Sequence, residues 1–579
     1  MGNNEDSLGR IDSRSHAALV SPYPVGKFAN LPVPFKKGKA AKPNLAQLKS
    51  KVAQLERNPV TLLHEIDTQL GIYVREPLNP KLRFDIAEIF YNSAYPAFHR
   101  AYEIYVGRKR VPGNTTDKGV MMRSASAVID KLATSYKQAF SGFEKEGVLA
   151  RSTRKRLLPA GFRVLELIQL NLYFLSCQFK PVPVAEWHNN RRIFFLLFKK
   201  DQVDTEYPLV AHMLNYQTKD MIRMELPNPS TARKLFLKTE LQGFVNLSSW
   251  PQQYQQRPAG YIEAVMPLLD LRGYDGRAIP DGSLAIYEDS AGSAGFRLRK
   301  SFKGMAITVD VLPLARRVRD DQEVLEKKQI LSDTSTTGLL APVRDIAAMD
   351  RVPVVSMMIS AMLPHQRKHV RQPVFGKHKL RIYFGFKEAY KLILDLVGTT
   401  SAEYQERRGL SDTFAMQAAT YSDAGASASQ QAWEVQDISD GGLLASTHDA
   451  PSANPKSVGT MVCYSIDDEL QKPFVGYISR IGRTLDDRLN LGVAKLAEQV
   501  ELGLVKDVEH LGESKGVPVF LLTDDRVNWR LVVDPEYGYI KGTPLMLITR
   551  SRPPSPVRLG RSLHEESGFV VYELSAPKL

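Results

Sequence analysis

Trp433-Glu-Val-Gln-Asp437-Ile-Ser439-Asp-Gly-Gly442 decides how the second half of the chain is read. Aromatic and β-branched residues lead into Asp-Gly-Gly, and a second apolar run, Leu443–Ser446, follows, so the stretch reads as strand, tight turn, strand. Upstream lies Pro364-His-Gln-Arg367-Lys-His-Val-Arg371, a basic approach with two arginines four positions apart. His378–Phe386, Met461–Ile466, Pro473–Arg480 and Leu489–Leu496 supply further short strands bounded by turn formers. Together they predict a small antiparallel β-barrel over 351–500. Between the first two strands an insertion, Leu396–Gln431, is rich in Ala, Ser, Thr and Gly. A structureless loop of that length is usually functional or disordered.

Outward from this barrel the pattern changes. Val517–Leu522, Trp529–Val533, Leu545–Thr549 and Phe569–Leu574 predict a C-terminal β unit over 501–579. The front of the chain is helical over 44–255. Asn44 caps Leu45, Leu48, Val52 and Leu55, and Pro59 opens a second helix with Leu62, Leu63, Ile66 and Leu70 on one side. Leu82–Tyr105, interrupted at Pro96, Met121–Phe140, Leu157–Phe179, Tyr207–Tyr216 and Thr231–Phe244 complete the set. Leu157–Phe179 is apolar enough to suggest a membrane span. It holds Arg163, Glu166, Gln169, Asn171 and Gln178, and such groups are costly at bilayer depth, so it reads as a buried helix and no transmembrane segment is expected.

From 256 to 350 a small mixed segment is expected. Strands are predicted at Tyr261–Leu269, Ser283–Glu288, Phe296–Leu298 and Met305–Leu312, a charged helix at Leu314–Ile330, and a connector over 331–350. Residues 1–43 read as a disordered arm with a basic end. The fold class is therefore multidomain α + β.

Composition narrows function less. The 579 residues are 43% hydrophobic and 24% charged, which excludes a wholly disordered chain. The net charge of +14 raises the question of a polyanionic partner, but the excess is spread out along the chain. Sparse aromatic interleaving near Arg367 further disfavours nucleic acid. Two cysteines, Cys177 and Cys463, argue against a disulfide framework and for a reducing compartment. The opening Met-Gly-Asn-Asn-Glu-Asp shows no secretory h-region, and Ser7 falls one place outside the myristoylation pattern.

Catalytic patterns are missing from the sequence. Gly107-Arg-Lys-Arg-Val-Pro-Gly113 lacks the Gly-Lys-Ser/Thr of a phosphate-binding loop, and no Gly-x-Gly-x-x-Gly appears. His64-Glu65 and His564-Glu565-Glu566 lack a second zinc-ligating histidine, while His365, His369 and His378 lack carboxylate or thiolate companions. No nucleophile elbow is found. The chain is not expected to be an enzyme, and neither a metal nor a cofactor is expected.

One local concentration of charge stands out. Residues 363–387 hold Arg367, Lys368, Arg371, Lys377, Lys379, Arg381 and Lys387, with no Asp or Glu. An arginine can fork onto the O6/N7 edge of guanine or onto phosphate oxygens, and its plane can stack on a base. A carboxylate such as Asp437 can accept the N1–H and N2–H donors that mark guanine. Ser439 offers a neutral donor or acceptor, and glycine allows a close backbone approach. Taken singly, these features are also those of a solvated basic linker, an Asx turn and a hairpin glycine.

Arg-x-x-x-Arg at Arg367 and Arg371, followed by Asp-x-Ser-x-x-Gly at Asp437, Ser439 and Gly442, resembles the PilZ domain, the β-barrel receptor for cyclic di-GMP. Val458-Gly459, Phe474–Arg483 and Arg488–Leu496 follow in the family's order. The resemblance implies that Arg367 and Arg371 grip guanine and phosphate, that Asp437 and Ser439 complete the contacts, and that Gly442 shapes the turn. It also implies a cytoplasmic signalling protein that relays second-messenger level to an unidentified protein partner in control of motility, pili or biofilm. The sequence departs from the family in spacing, because Asp437 follows Arg371 by 66 positions. A degenerate PilZ scaffold that acts through protein–protein contacts without nucleotide is the alternative.

Overall fold

A computed structural model describes 22–31, 43–105, 119–146, 151–207, 230–362, 372–399, 433–447 and 458–575, apart from single positions and short loops within these ranges. Chain contacts divide it into two compact units: the first holds Met1–Cys177, Val182–Leu247 and Gln256–Arg319, and the second holds Gln178–Pro181, Ser248–Gln255 and Asp320–Leu579.

The first unit is mainly helical: α1 (Leu45–Leu55), α2 (Pro59–Tyr73), α3 (Pro80–Tyr105), α4 (Gly119–Glu146), α5 (Arg151–Cys177), α6 (Val184–Lys199), α7 (Ala232–Phe244) and α8 (Arg257–Val265). Asn44 caps α1 as expected, its Oδ1 accepting from the N–H groups of Ala46 and Gln47, and Asn58 Oδ1 accepts from Thr61 N–H ahead of Pro59 in α2. Contrary to expectation, α3 runs through Pro96 unbroken. A helix-interior proline costs about 3 kcal/mol. Burial of Phe90, Tyr91, Phe98 and Tyr102 on either side offsets that cost.

No described helix is long and apolar enough to cross a membrane. In α5 the polar residues form a buried network in which Arg163 bonds Glu166 at 2.7 Å and Glu88 at 3.0 Å. Burial pushes the Glu166 carboxyl up, against the opposing pull of Arg163. No expectation covered α6, which buries Glu186, His188, Asn189, Asn190, Arg191 and Arg192. Its Arg191 is fully buried and paired at 2.8 Å with an equally buried Glu240 of α7. Part of the expected disordered arm packs on α6: Ala29 N–H donates to Asn189 Oδ1 at 2.9 Å, and Phe28 lies beneath the Arg192 guanidinium.

Two further expectations are overturned here. Glu206–Tyr207 is extended (β1) and pairs with Ser230–Thr231 (β2), whereas a helix was predicted from Tyr207. A residue before proline avoids the helical region, and Pro208 follows Tyr207. The remainder of that predicted helix lies outside the described residues. Tyr261–Leu269, predicted as a strand, lies in α8 and a following 3-10 turn. Buried Tyr261, Ile262 and Val265 share one helical face, and a short apolar run does not by itself reveal that period. The strands β3 (Leu271–Gly273), β4 (Ser283–Tyr287) and β5 (Ala306–Asp310) form a small sheet in the order β3-β5-β4. The predicted strand Phe296–Leu298 lies outside the described residues.

The helix α9 (Leu312–Ile330) contains the division between the units. In the second unit, α10 (Ala341–Arg344) and α11 (Ala348–Met362) occupy part of the expected connector and the expected start of the barrel. Then come β6 (Gln372–Pro373), β7 (Lys379–Phe384), α12 (Phe386–Thr399), β8 (Trp433–Ser439), β9 (Gly442–Thr447), β10 (Met461–Ile466), β11 (Phe474–Arg483) and β12 (Leu489–Lys495). The sheet runs β8-β7-β10-β11-β12-β9 and returns to β8, a closed six-stranded barrel with β6 added along β8. A second closed barrel follows, built from β13 (Gln499–Asp507), β14 (Val517–Thr523), β15 (Arg530–Val533), β16 (Pro544–Thr549), β17 (Ser555–Glu566) and β18 (Phe569–Ser575).

Strand alternation fills three cores at once. On β10, Val462 and Tyr464 face the first barrel's interior, while Met461 and Cys463 face outward into a cluster with α12. On β14, Phe520 and Leu522 join that shared cluster, while Val519 and Leu521 fill the second barrel. The beginning of the expected insertion is therefore helical. Phe386, Ala389, Tyr390 and Ile393 recur at i, i+3, i+4 and i+7 and bury between the barrels, and Tyr390 Oη donates to the Gly503 carbonyl at 3.1 Å.

Candidate functional site

Asp437, Ser439 and Gly442 lie on one hairpin of the first barrel. Trp433 and Val435 point into the core, so strict alternation would turn Asp437 inward as well. A bulge prevents this: β8–β9 pairing steps from Val435↔Ala445 to Asp437↔Leu444, leaving Gln436 unpaired in the ladder. The Gln436 amide donates to Ser446 Oγ at 2.8 Å, which holds the bulge. Ile438 consequently packs inward, and Asp437 and Ser439 take the outer face.

Gly442 has φ +146°, a conformation that suits glycine. A Cβ there would collide with the Val493 carbonyl oxygen and lie 3.0 Å from Ala494 Cα. Ser439 Oγ donates to the Gly442 carbonyl at 3.2 Å, and Lys495 N–H donates to the Gly441 carbonyl at 3.0 Å. The turn is thus fixed to β12 as well as closed on itself.

Arg367 and Arg371 lie outside the described residues, as do Lys368, Lys377, His365 and His369. Gln372, the residue after Arg371, pairs with Ile438, and Pro373 pairs with Asp437. The strand after the arginine motif therefore runs along the strand that carries the second motif, despite the 66 positions between Arg371 and Asp437. Part of that separation is taken up by α12, which packs on β7 and β10. The rest, 400–432, lies outside the described residues. Of the basic residues that are described, Lys379 sits opposite Glu434 in register, and Lys387 reaches Glu536 at 3.4 Å.

Sequence reasoning missed Arg480. It belongs to the same outer face through a second bulge, where β11–β12 pairing steps from Ile478↔Val493 to Arg480↔Gly492. No residue pattern announces it, because its place depends on strand register.

The remaining candidates are less organised. His564 lies 3.1 Å from Glu566 and beside the Tyr477 ring, whose hydroxyl burial pushes up to about 12. A cleft of about 280 Å³ separates these residues of β17 from Val352, Pro353, Ser356 and Met357 of α11. Glu65 of the His64-Glu65 pair bonds Lys51 at 2.6 Å, and Gly107–Gly113 lies outside the described residues. Among the described residues no group of three or more His, Cys, Asp or Glu could hold a metal ion. Cys177 and Cys463 are both buried and unbridged, and burial raises both thiol pKa values.

Comparison of the chain with protein-family models, with curated proteins and with solved structures finds no match in any of the three.

Proposed function

We propose that the chain is a cytoplasmic receptor for cyclic di-GMP that relays the level of this second messenger to a protein partner. The observation that supports this reading is the β6–β8 pairing. It runs Gln372 and Pro373, which follow Arg371, along Ile438 and Asp437. Two cations from the approach segment and the carboxylate and hydroxyl of the hairpin then converge on one ligand. Arg367 and Arg371 take guanine and phosphate, Asp437 takes the N1–H and N2–H edge, Ser439 completes the contacts, and Gly442 shapes the turn. Ordering the approach segment around the ligand opposes affinity and supplies the conformational signal.

A second reading, a scaffold of the same fold that needs no nucleotide, draws on Ser439. Its hydroxyl already bonds the Gly442 carbonyl, so the hairpin explains that serine by itself. Calorimetric titration of the full chain with cyclic di-GMP separates the two. The receptor reading expects saturable heat from the wild type and at least a tenfold loss in Arg371→Ala. No heat from the wild type refutes it.

A further inference from the structure

Pairing aligns Pro373, Asp437, Leu444, Gly492 and Arg480 in one row across five neighbouring strands. Ile438, Leu443, Val493 and Ile481, which adjoin members of this row along their strands, belong to the barrel interior. The row therefore lies on the outer face. Both of its charged members are there because of a bulge. Val435 and Ile478 point inward, and strict alternation would bury Asp437 and Arg480 two residues later; an extra residue, Gln436 in one case and Ser479 in the other, reverses each. Ser479 Oγ fixes its bulge by donating to the Gly492 carbonyl at 3.0 Å.

The middle of the row is shaped for a flat apolar face. Leu444 is half-buried outside the core cluster, and Gly492 beside it has no side chain. The stem of Arg480 folds over this glycine: a Cβ on Gly492 would lie 2.7 Å from Arg480 Nε and 3.0 Å from Cδ. The exposed arginine thus leans back along the row toward Leu444 and Asp437. With strands roughly 4.8 Å apart, three steps put the Asp437 and Arg480 backbones about 14 Å apart. The returning side chain closes part of that span. A carboxylate, an apolar floor and a guanidinium in line match the amide edge, the ring face and the phosphate of a purine nucleotide.

We propose that this row seats one guanylate half of the ligand. Its base lies over Leu444, its N1–H and N2–H edge meets Asp437, and Arg480, whose stem covers Gly492, forks onto a phosphate. The inference rests on the cyclic di-GMP reading above and adds to it a third arginine and a floor that the sequence motifs do not contain.

The test is calorimetric titration of the full chain with cyclic di-GMP at low and high salt, for wild type, Arg480→Ala, Arg480→Lys, Gly492→Val and Arg371→Ala. Arg480→Ala is expected to weaken binding at least fivefold and to flatten its salt dependence, because a phosphate contact is lost. Arg480→Lys retains charge without the fork and falls between. Gly492→Val displaces the Arg480 stem and weakens binding with the arginine still present. Unchanged melting of Arg480→Ala, an exposed residue, separates contact from folding. If Arg371→Ala loses binding and Arg480→Ala changes it less than fivefold, the proposed row is wrong and the receptor reading stands. No binding by the wild type overturns both.

Discussion

Replacing Gly442 by alanine tests the hairpin independently of any ligand. The φ of +146° carries a penalty of roughly 1–2 kcal/mol for a residue with a Cβ. The new methyl also meets the Val493 carbonyl and Ala494 Cα, both in the backbone of β12, so neither can swing aside as a side-chain tip would. Relieving that contact by backbone movement costs roughly another 1–2 kcal/mol, for a total of about 2–4 kcal/mol. Gly482→Ala in β11 is the control, because a Cβ there meets nothing within 4 Å. Native-state hydrogen exchange read by mass spectrometry on peptides covering 433–447 measures local opening of β8 and β9 without assuming that the whole chain unfolds in one step. A cost of 2–4 kcal/mol corresponds to a loss of protection of roughly 30- to 900-fold. Gly482→Ala is expected to stay within about threefold. Protection in Gly442→Ala within threefold of wild type would refute both the conformational and the steric reasoning.

The buried groups make two further predictions. Burial pushes the Cys463 thiol up to about 12 and raises that of Cys177 as well, so at pH 8 both stay protonated as well as shielded. Ellman's reagent should therefore find neither thiol in the native chain and both in guanidinium; prompt native reaction would contradict the buried placement. Arg191→Met leaves Glu240 as an uncompensated buried charge and orphans the Ser290 and Gly292 carbonyls that Arg191 also serves. It should cost about 3–5 kcal/mol, lowering the melting transition of the first unit by roughly 5–8 °C. Adding Glu240→Met should recover only part of this, since the two carbonyls remain without their donor.

Local patterns were legible in the sequence where one element buries one face. Trp433–Ser439 and Met461–Ile466 coincide with β8 and β10, and Asn44 and Pro59 mark the helix starts. The strand β17 was missed because Pro556 and Gly560 break its alternation, and its ladder contains two irregularities. Its place is set by closure of a barrel, which is a non-local requirement. The burial of α6 was hidden because its polar residues find partners only in other elements, such as Glu240 in α7. In α12 the signal was present, since Phe386, Ala389, Tyr390 and Ile393 form a helical stripe. The apolar run His378–Phe386 before it and the Ala/Ser/Thr/Gly-rich stretch after it hide that stripe between an expected strand and an expected loop. At the candidate site the residue types were visible, but the faces were not. Two bulges decide that Asp437 and Arg480 point outward, and neither Gln436 nor Ser479 has a composition that announces a bulge.

Those bulges, α12 and α11 together suggest how the proposed receptor would transmit a signal within the second unit. The two barrels share one core around α12, so they form a stiff frame in which neither moves without breaking the packing of Phe386, Tyr390 and Phe520. The arginine-bearing residues join two elements held by opposite parts of this frame. On one side α11 packs against β17 of the second barrel, and on the other β6 pairs with β8 of the first. Met362 and Gln372, the residues at these two ends, are ten positions apart. In the proposed receptor, a ligand that draws Arg367 and Arg371 toward Asp437 and Ser439 acts on the segment between these two attachments. The β6–β8 pairing is part of the site itself. The α11–β17 contact encloses a cleft of about 280 Å³ lined by His564 and Glu566, and it is the attachment with room to change. Under this reading the nucleotide is bound on the first barrel and the response appears on the second, at the edge of α11.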